Sequence, residues 1–374
     1  MLTPALENPL IERLAHGLPR SPFQLNALHE ADAEILVLPG SGGVRLAVTT
    51  DTIAEEIQTG LYADPWLIGW MAVTANLSDL AAVGATPVGI LIAETIPETC
   101  PQEFLRRLQE GIGDACRVHA TPVLGGDTNL GDTLSLTGCA LGLLDEGGVI
   151  TRRGCAPGDI LFASGPIGCG NGFAFARLCG RSVACPPYRP VARLREGRTI
   201  RRFASACMDS SDGLLATLDQ LLRINGTGFR LAPGWEEALD TASRGLLQQS
   251  GVPEWFLLAG PHGEFELLFT IPPKHEEGFL DDAVRQGWAP TRLGRVLSDP
   301  DIRLTVQGHE YNLDTGAIRN LASSVRTSCP DYLEALRTID ARQRGNGSMN
   351  WSEARPSDGP TNPAAAGVPG GRMP

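Results

Sequence analysis

No CxxC pair, no HExxH and no GxxxxGK[ST] occurs in the 374 residues. Those gaps remove the usual zinc frameworks, the zinc-protease helix and the phosphate-binding P-loop. Aromatic residues make up only 6%, and apolar runs such as Val88–Ala93 fall far short of the roughly 20 residues that span a bilayer. Positive charge is also scarce: 31 Lys and Arg against 43 Asp and Glu leave a net charge of −12. A dedicated nucleic-acid or anionic-membrane surface needs clustered cations, so neither partner is expected and a small-molecule or protein partner is favoured. Glu7 and Glu12 precede any apolar stretch, which argues against a secretory leader. The nine cysteines therefore read as free thiols in a reducing cytoplasm.

What is present is the material of a globular protein: 42% hydrophobic residues, in a chain long enough for two domains. β-rich runs fall at 34–39, 44–50, 88–96, 134–144, 159–164, 229–231 and 264–271, with helical patterns between them. The clearest helix opens at Asp64-Pro65, an N-cap followed by proline at the first helical position, and ends at Gly84. Mixed strands and helices in both halves predict an α/β (α+β) fold. The polar turn Arg152–Asp159 suggests a division into residues 1–150 and 151–340, and from 341 to 374 the Gly, Pro, Ser and Asn content predicts a disordered tail.

Six aspartates stand where chains place ligands, at strand ends and helix starts: Asp32, Asp51, Asp79, Asp127, Asp209 and Asp212. Singly, each has a plain explanation as an Asx turn or an N-cap. Asp79 is harder to dismiss, because with Asn76 it interrupts an otherwise apolar helix and a carboxylate near a core needs a partner. Dispersed aspartates suit a hard divalent cation, and an Asp-rich, His-poor set suits phosphoryl transfer better than acyl or hydride transfer. The turn Gly165–Gly172 lies between a strand and a helix and lacks the spacing of a dinucleotide loop, though its amides offer a phosphate cradle. The series Arg193, Arg195, Arg198, Arg201 and Arg202 reads as a solvated helix face.

Taken in order, Val48–Thr52, Asn76–Gly84, Gly125–Thr128, Arg152–Asp159, Asp209–Leu214 and Glu264–Phe269 resemble the motifs of thiamine-monophosphate kinase, in the aminoimidazole ribonucleotide synthetase superfamily. The resemblance spans about residues 25 to 310. It implies a two-domain fold of mixed sheets flanked by helices, a homodimer paired through the N-terminal domain, and ATP and Mg²⁺ as cofactors. By the same resemblance Asp32, Thr49, Thr50, Asp51, Asp79, Asp127, Asp209 and Asp212 match metal ligands, with Asp51, Asp127 and Asp209 as catalytic positions. Gly126, Asp127, Arg152 and Ser211 match nucleotide contacts.

The departures fall on the acceptor side. A substrate-contacting histidine is replaced by Gln58, and a substrate-contacting glutamate by Gly263 beside Glu264. The resemblance thus implies transfer to thiamine monophosphate or a related phosphorylated acceptor, with the acceptor pocket altered. Two alternatives stand beside it: an ATP-driven synthetase that activates an amide or carbonyl oxygen, and a non-catalytic nucleotide-binding dimer.

Overall fold

The computed structural model describes residues 3–145, 148–179, 185–324 and 329–345. The first sheet is built from β1 (Glu34–Val37), β2 (Arg45–Thr52), β3 (Thr86–Pro97), β4 (Val123–Gly131) and β5 (Ser135–Leu144), in the order β1-β2-β5-β3-β4. All its pairings are antiparallel except β3 with β4. Its helices are α1 (Glu7–Ala15), α2 (Ala54–Gln58), α3 (Pro65–Ala82) and α4 (Gln102–Val118). α3 begins as the sequence predicts, with the Asp64 side chain accepting from the Trp66 amide and Pro65 in the first turn. It is apolar all round, and the structure buries it on nearly every side. Its faces meet α4, the first sheet, and elements of the second half.

The second sheet runs β12-β11-β8-β10-β6-β9-β7. Its strands are β6 (Ile160–Ala163), β7 (Ala206–Asp209), β8 (Gly228–Leu231), β9 (Leu267–Ile271), β10 (Thr291–Leu297), β11 (Ile302–Val306) and β12 (His309–Leu313). Around it lie α5 (Cys169–Ala174), which continues as a π-helical turn to Cys179, α6 (Leu194–Ile200), α7 (Leu214–Asn225), α8 (Thr241–Gln249), α9 (Phe256–Ala259), α10 (Glu276–Arg285), α11 (Thr315–Ser324) and α12 (Cys329–Gly345). Strand alternation divides the interior in two. Phe162 and Phe269 join the core shared with α3, whereas Leu161, Ala163 and Leu268 join the core under α7, α9 and α12. Two mixed sheets flanked by helices bear out the expected fold class.

Three local expectations are corrected. Arg193 is not on a solvated face: its Nε donates to Glu266 Oε2 at 2.8 Å in a largely buried pair, and Arg201 is 8% exposed. The free-thiol reading fails for Cys179 and Cys329, which are disulfide-bonded. Helix α12 also carries the fold past residue 341, since Asp340 accepts from Trp255 Nε1 and Tyr311 Oη, each at 2.8 Å; residues 346–374 lie outside the described residues. Ending the chain after Gly345 should leave Tm unchanged, whereas ending it after Arg337 removes Ile339 and Asp340 and should lower Tm by several degrees. A lost kcal/mol moves Tm by roughly 2–4 °C in domains of 150–250 residues, so calorimetry on the two truncations separates the cases.

The N-terminal arm departs from the sequence division at residue 150. Arg223 donates to the Thr3 carbonyl at 2.6 Å, Arg319 to Glu7 at 2.6 Å and Asn8 to Gln220 at 3.1 Å, so residues 3–15 dock on α7 and α11 of the second half.

Candidate functional site

The strand period of two sets the first part of the site. On β2, Thr49 and Asp51 point toward α3 while Thr50 points to the opposite face, where its Oγ1 donates to the Gly138 carbonyl at 2.8 Å. Asn76 ties the helix to the strand: its Oδ1 accepts from the Asp51 amide at 3.0 Å and its Nδ2 donates to the Ala72 carbonyl at 3.0 Å. One turn further along α3, Asp79 accepts from Thr49 Oγ1. Ser78 reaches across to the second sheet, donating to Asp209 Oδ2 at the end of β7 at 2.6 Å. α3 thus brings residues from two sheets to one point.

Asp32, Asp79 and Asp209 each contribute a carboxylate oxygen to this point, all within 4.8 Å of one another. Among the described residues one cation meets them. Arg152 donates Nη2 and Nε to Asp32 Oδ1 at 2.8 and 3.2 Å, in an ion pair where Asp32 is 1% exposed. Burial and mutual repulsion make the ionised cluster costly. Burial and then the carboxylates of Asp212, Glu56 and Asp32 push Asp51 up to about 7. Burial and then Asp32 push Asp209 up to about 7, against the favourable Ser78 bond. Asp79 is raised by burial and by its Asp51 and Asp209 neighbours. A carboxyl whose native value is raised binds its proton more tightly folded than unfolded, so stability is lost as pH rises from about 4, the unfolded value, through the folded value. In the metal-free protein Asp51→Asn should therefore be more stable than the parent, with an advantage that grows between pH 5 and 7.5 by on the order of 1–3 kcal/mol. Denaturant titrations in chelator at the two pH values read the difference.

The chain matches the model described as AIR synthase related protein, N-terminal domain, over residues 30–144. Thiamine-monophosphate kinase of Methanocaldococcus jannaschii is 31% identical over 306 residues, 76% of this chain and 91% of that one. That of Escherichia coli O157:H7 is 30% identical over 264 residues, 68% of this chain and 79% of that one. The chain belongs to the thiamine-monophosphate kinase family. It is an ATP-dependent kinase. The solved structure of AaThiL complexed with AMPPCP and TMP superimposes with a TM-score of 0.63 at 22% identity, covering 82% of this chain and 95% of that one, and shows the shared fold.

Within this kinase not all of the sequence-derived positions converge. Asp127, Gly126 and Thr50 lie apart from the three-carboxylate cluster, lining a cleft of about 290 Å³ on the open face of the first sheet with Leu91, Thr137 and Cys139. Asp127 is exposed and accepts from Asn129 Nδ2 at 2.7 Å. Gly126 has a packing reason to be glycine, since a Cβ there would come within 1.9 Å of the Ile92 carbonyl. Asp212 is exposed, and Gln58 is exposed at the end of α2. Ser211 and Gly263 are joined, the Gly263 amide donating to the Ser211 carbonyl at 2.8 Å.

Glu264 is buried. Its Oε2 accepts from the Gly168 amide at 2.8 Å and its Oε1 from Ser210 Oγ at 3.1 Å, and burial pushes its carboxyl up to about 8. The turn read as a phosphate cradle already holds this carboxyl group of the chain itself. Sequence reasoning missed Ser78, although its place one residue before Asp79 was a usable signal. It also missed the buried group Tyr62, Phe173, Tyr188 and His262, whose rings lie 4.5–6.5 Å apart. Tyr62 lies 111 or more positions from the other three, so no sequence spacing announced it.

Proposed function

We propose that this kinase transfers the γ-phosphoryl group of ATP to thiamine monophosphate or a closely related phosphorylated acceptor, using Mg²⁺ held by Asp32, Asp79 and Asp209. The observation that carries the reading is the carboxylate cluster with its orphan oxygen: Asp32 Oδ2 is buried and meets no donor among the described residues. An all-oxygen donor set of this kind fits Mg²⁺, which takes one or two carboxylates together with phosphate oxygens and water. Asp51 and Thr49 stand next to the cluster as further ligands, directly or through water, and Asp212, whose charge reaches Asp51, would act from the exposed side. Thr50 and Asp127 would act from the cleft. Mg²⁺ bound there supplies positive charge against the charge that develops on the phosphoryl oxygens.

The chain's own part is positioning. Arg152 spends Nε and Nη2 on Asp32, and its Nη1 has no acceptor among the described residues, so it is free for a nucleotide phosphate. To Gly126, which lines the cleft, and to Ser211 we assign the remaining nucleotide contacts. The open face of the first sheet presents Val88, Leu91, Leu124 and Leu143, each 40–50% exposed. A row of large apolar side chains on one sheet face calls for a cover. We assign it to a second copy of the chain, giving a homodimer with the cleft at its edge. We place the enzyme in the cytoplasm, with its nucleotide; among the described residues no helix is long and apolar enough to cross a membrane.

On the acceptor side, Gly263 has no room for a side chain and Glu264 is engaged by the Gly168 amide, so no carboxylate is offered to a cationic ring from this loop. The test is an ADP-release assay with product chromatography. The expected result is ADP and thiamine diphosphate formed one to one, with kcat/KM for thiamine monophosphate below about 10⁴ M⁻¹s⁻¹. Orthophosphate in place of a phosphorylated product would overturn the kinase reading in favour of the synthetase alternative.

A further inference from the structure

Asp32 presents two oxygens to very different surroundings. Oδ1 receives both Arg152 donors, while Oδ2 is buried without a donor among the described residues. The arginine is itself fixed at its backbone: its amide donates to the Glu30 carbonyl at 2.8 Å, and its carbonyl accepts from Asn225 Nδ2 at 2.8 Å. Asn225 is the last residue of α7, so Arg152 is anchored to the second half of the molecule while gripping a residue of the first. Two N–H groups on one oxygen leave the carboxylate little freedom to turn.

We propose that Arg152 is a positioning residue for the cation site: by holding Asp32 through Oδ1 it keeps Oδ2 turned to the space shared with Asp79 and Asp209. The inference rests on the reading of that cluster as the cation site. It differs from a nucleotide-contact role, because a phosphate contact acts only when nucleotide is bound, whereas a grip on Asp32 acts without it. It differs also from a counter-ion role. A guanidinium that merely offsets the cluster's charge competes with an incoming cation, and removing it strengthens cation binding. A guanidinium that orients a ligand has the opposite effect, since losing a partner that orients a metal ligand typically weakens metal affinity about 10–100-fold.

The experiment is a titration of the full-length, nucleotide-free protein with Mn²⁺, followed by electron paramagnetic resonance, on the parent and on Arg152→Gln, Arg152→Lys and Asp79→Asn. The expected result is Mn²⁺ affinity weaker by about tenfold or more in Arg152→Gln, an intermediate value in Arg152→Lys, and loss of the site in Asp79→Asn. Unchanged or tighter binding in Arg152→Gln, with Asp79→Asn still losing the site, overturns the positioning role alone. Intact binding in Asp79→Asn overturns the reading of the cluster itself. Should Arg152→Gln not fold, Arg152→Lys decides, because it keeps the charge and loses the two-donor grip; parent-like affinity there overturns the proposal.

Discussion

Asp209→Asn should lower kcat by on the order of 10²–10³ while leaving the fold intact. The scale is that of losing one group which stabilises transition-state charge. Asparagine keeps an oxygen for Ser78 Oγ, whose 2.6 Å bond joins α3 to β7, so the geometry between the sheets is retained. What goes is one negative charge in a cluster where every carboxylate already sits beside another. Two readouts therefore move in opposite directions: turnover falls, and the metal-free protein becomes more stable at pH 7.5 because a repulsive buried charge has been removed. Added Mg²⁺ should recover only part of the rate. A variant with near-parental turnover would reduce Asp209 to a strand-end hydrogen-bond acceptor.

Gly263→Ala should destabilise the protein by about 3 kcal/mol or more, at or beyond the upper end of ordinary overpacking. A Cβ at this position would lie 1.4 Å from the Ser210 carbonyl oxygen and 2.7 Å from the Gly213 amide nitrogen. Neither obstacle is the free end of a side chain. Both belong to the backbone of the Asp209–Gly213 turn, so relief means displacing the turn that carries Asp209 and Asp212. Restoring a glutamate here, as the family pattern invites, should be worse than alanine for the same reason, and would leave the acceptor preference unrepaired. Denaturant unfolding of Gly263→Ala measures the effect. A loss under 1 kcal/mol would show that the loop around Phe265, whose φ is +60°, shifts easily.

Much of the site was legible because its residues carry strong local signals. Asp64-Pro65 marks the start of α3, and Asn76 with Asp79 marks the polar break in its apolar surface; both lie where the sequence placed them. Thr49-Thr50-Asp51 reads correctly as a strand end. Other elements were hidden for physical reasons. β4 contains Gly125, Gly126, Asp127 and Asn129, residues that disfavour strands, and it is held as an edge by its pairing to β3. β7 has only four residues, all buried, too few for a period to show. Arg193 looks like any surface arginine until Glu266, 73 positions on, is folded against it. The sequence likewise gave Asp127 and Asp79 one shared role, whereas the fold sets one on the open face of the first sheet and the other beneath it.

The N-terminal arm has a consequence for the order in which the molecule is completed. Thr3 is held by Arg223, 220 positions on, and Glu7 by Arg319, 312 positions on. At a synthesis rate of about 5–20 residues per second, the arm waits roughly 15–60 s for the docking surface to be translated. During that interval Leu6, Leu10 and Leu14, which remain exposed even in the finished structure, stand on a segment with nothing to bind. A segment translated well before its docking surface is thus among the last to find its place, and it stands uncovered until α7 and α11 emerge.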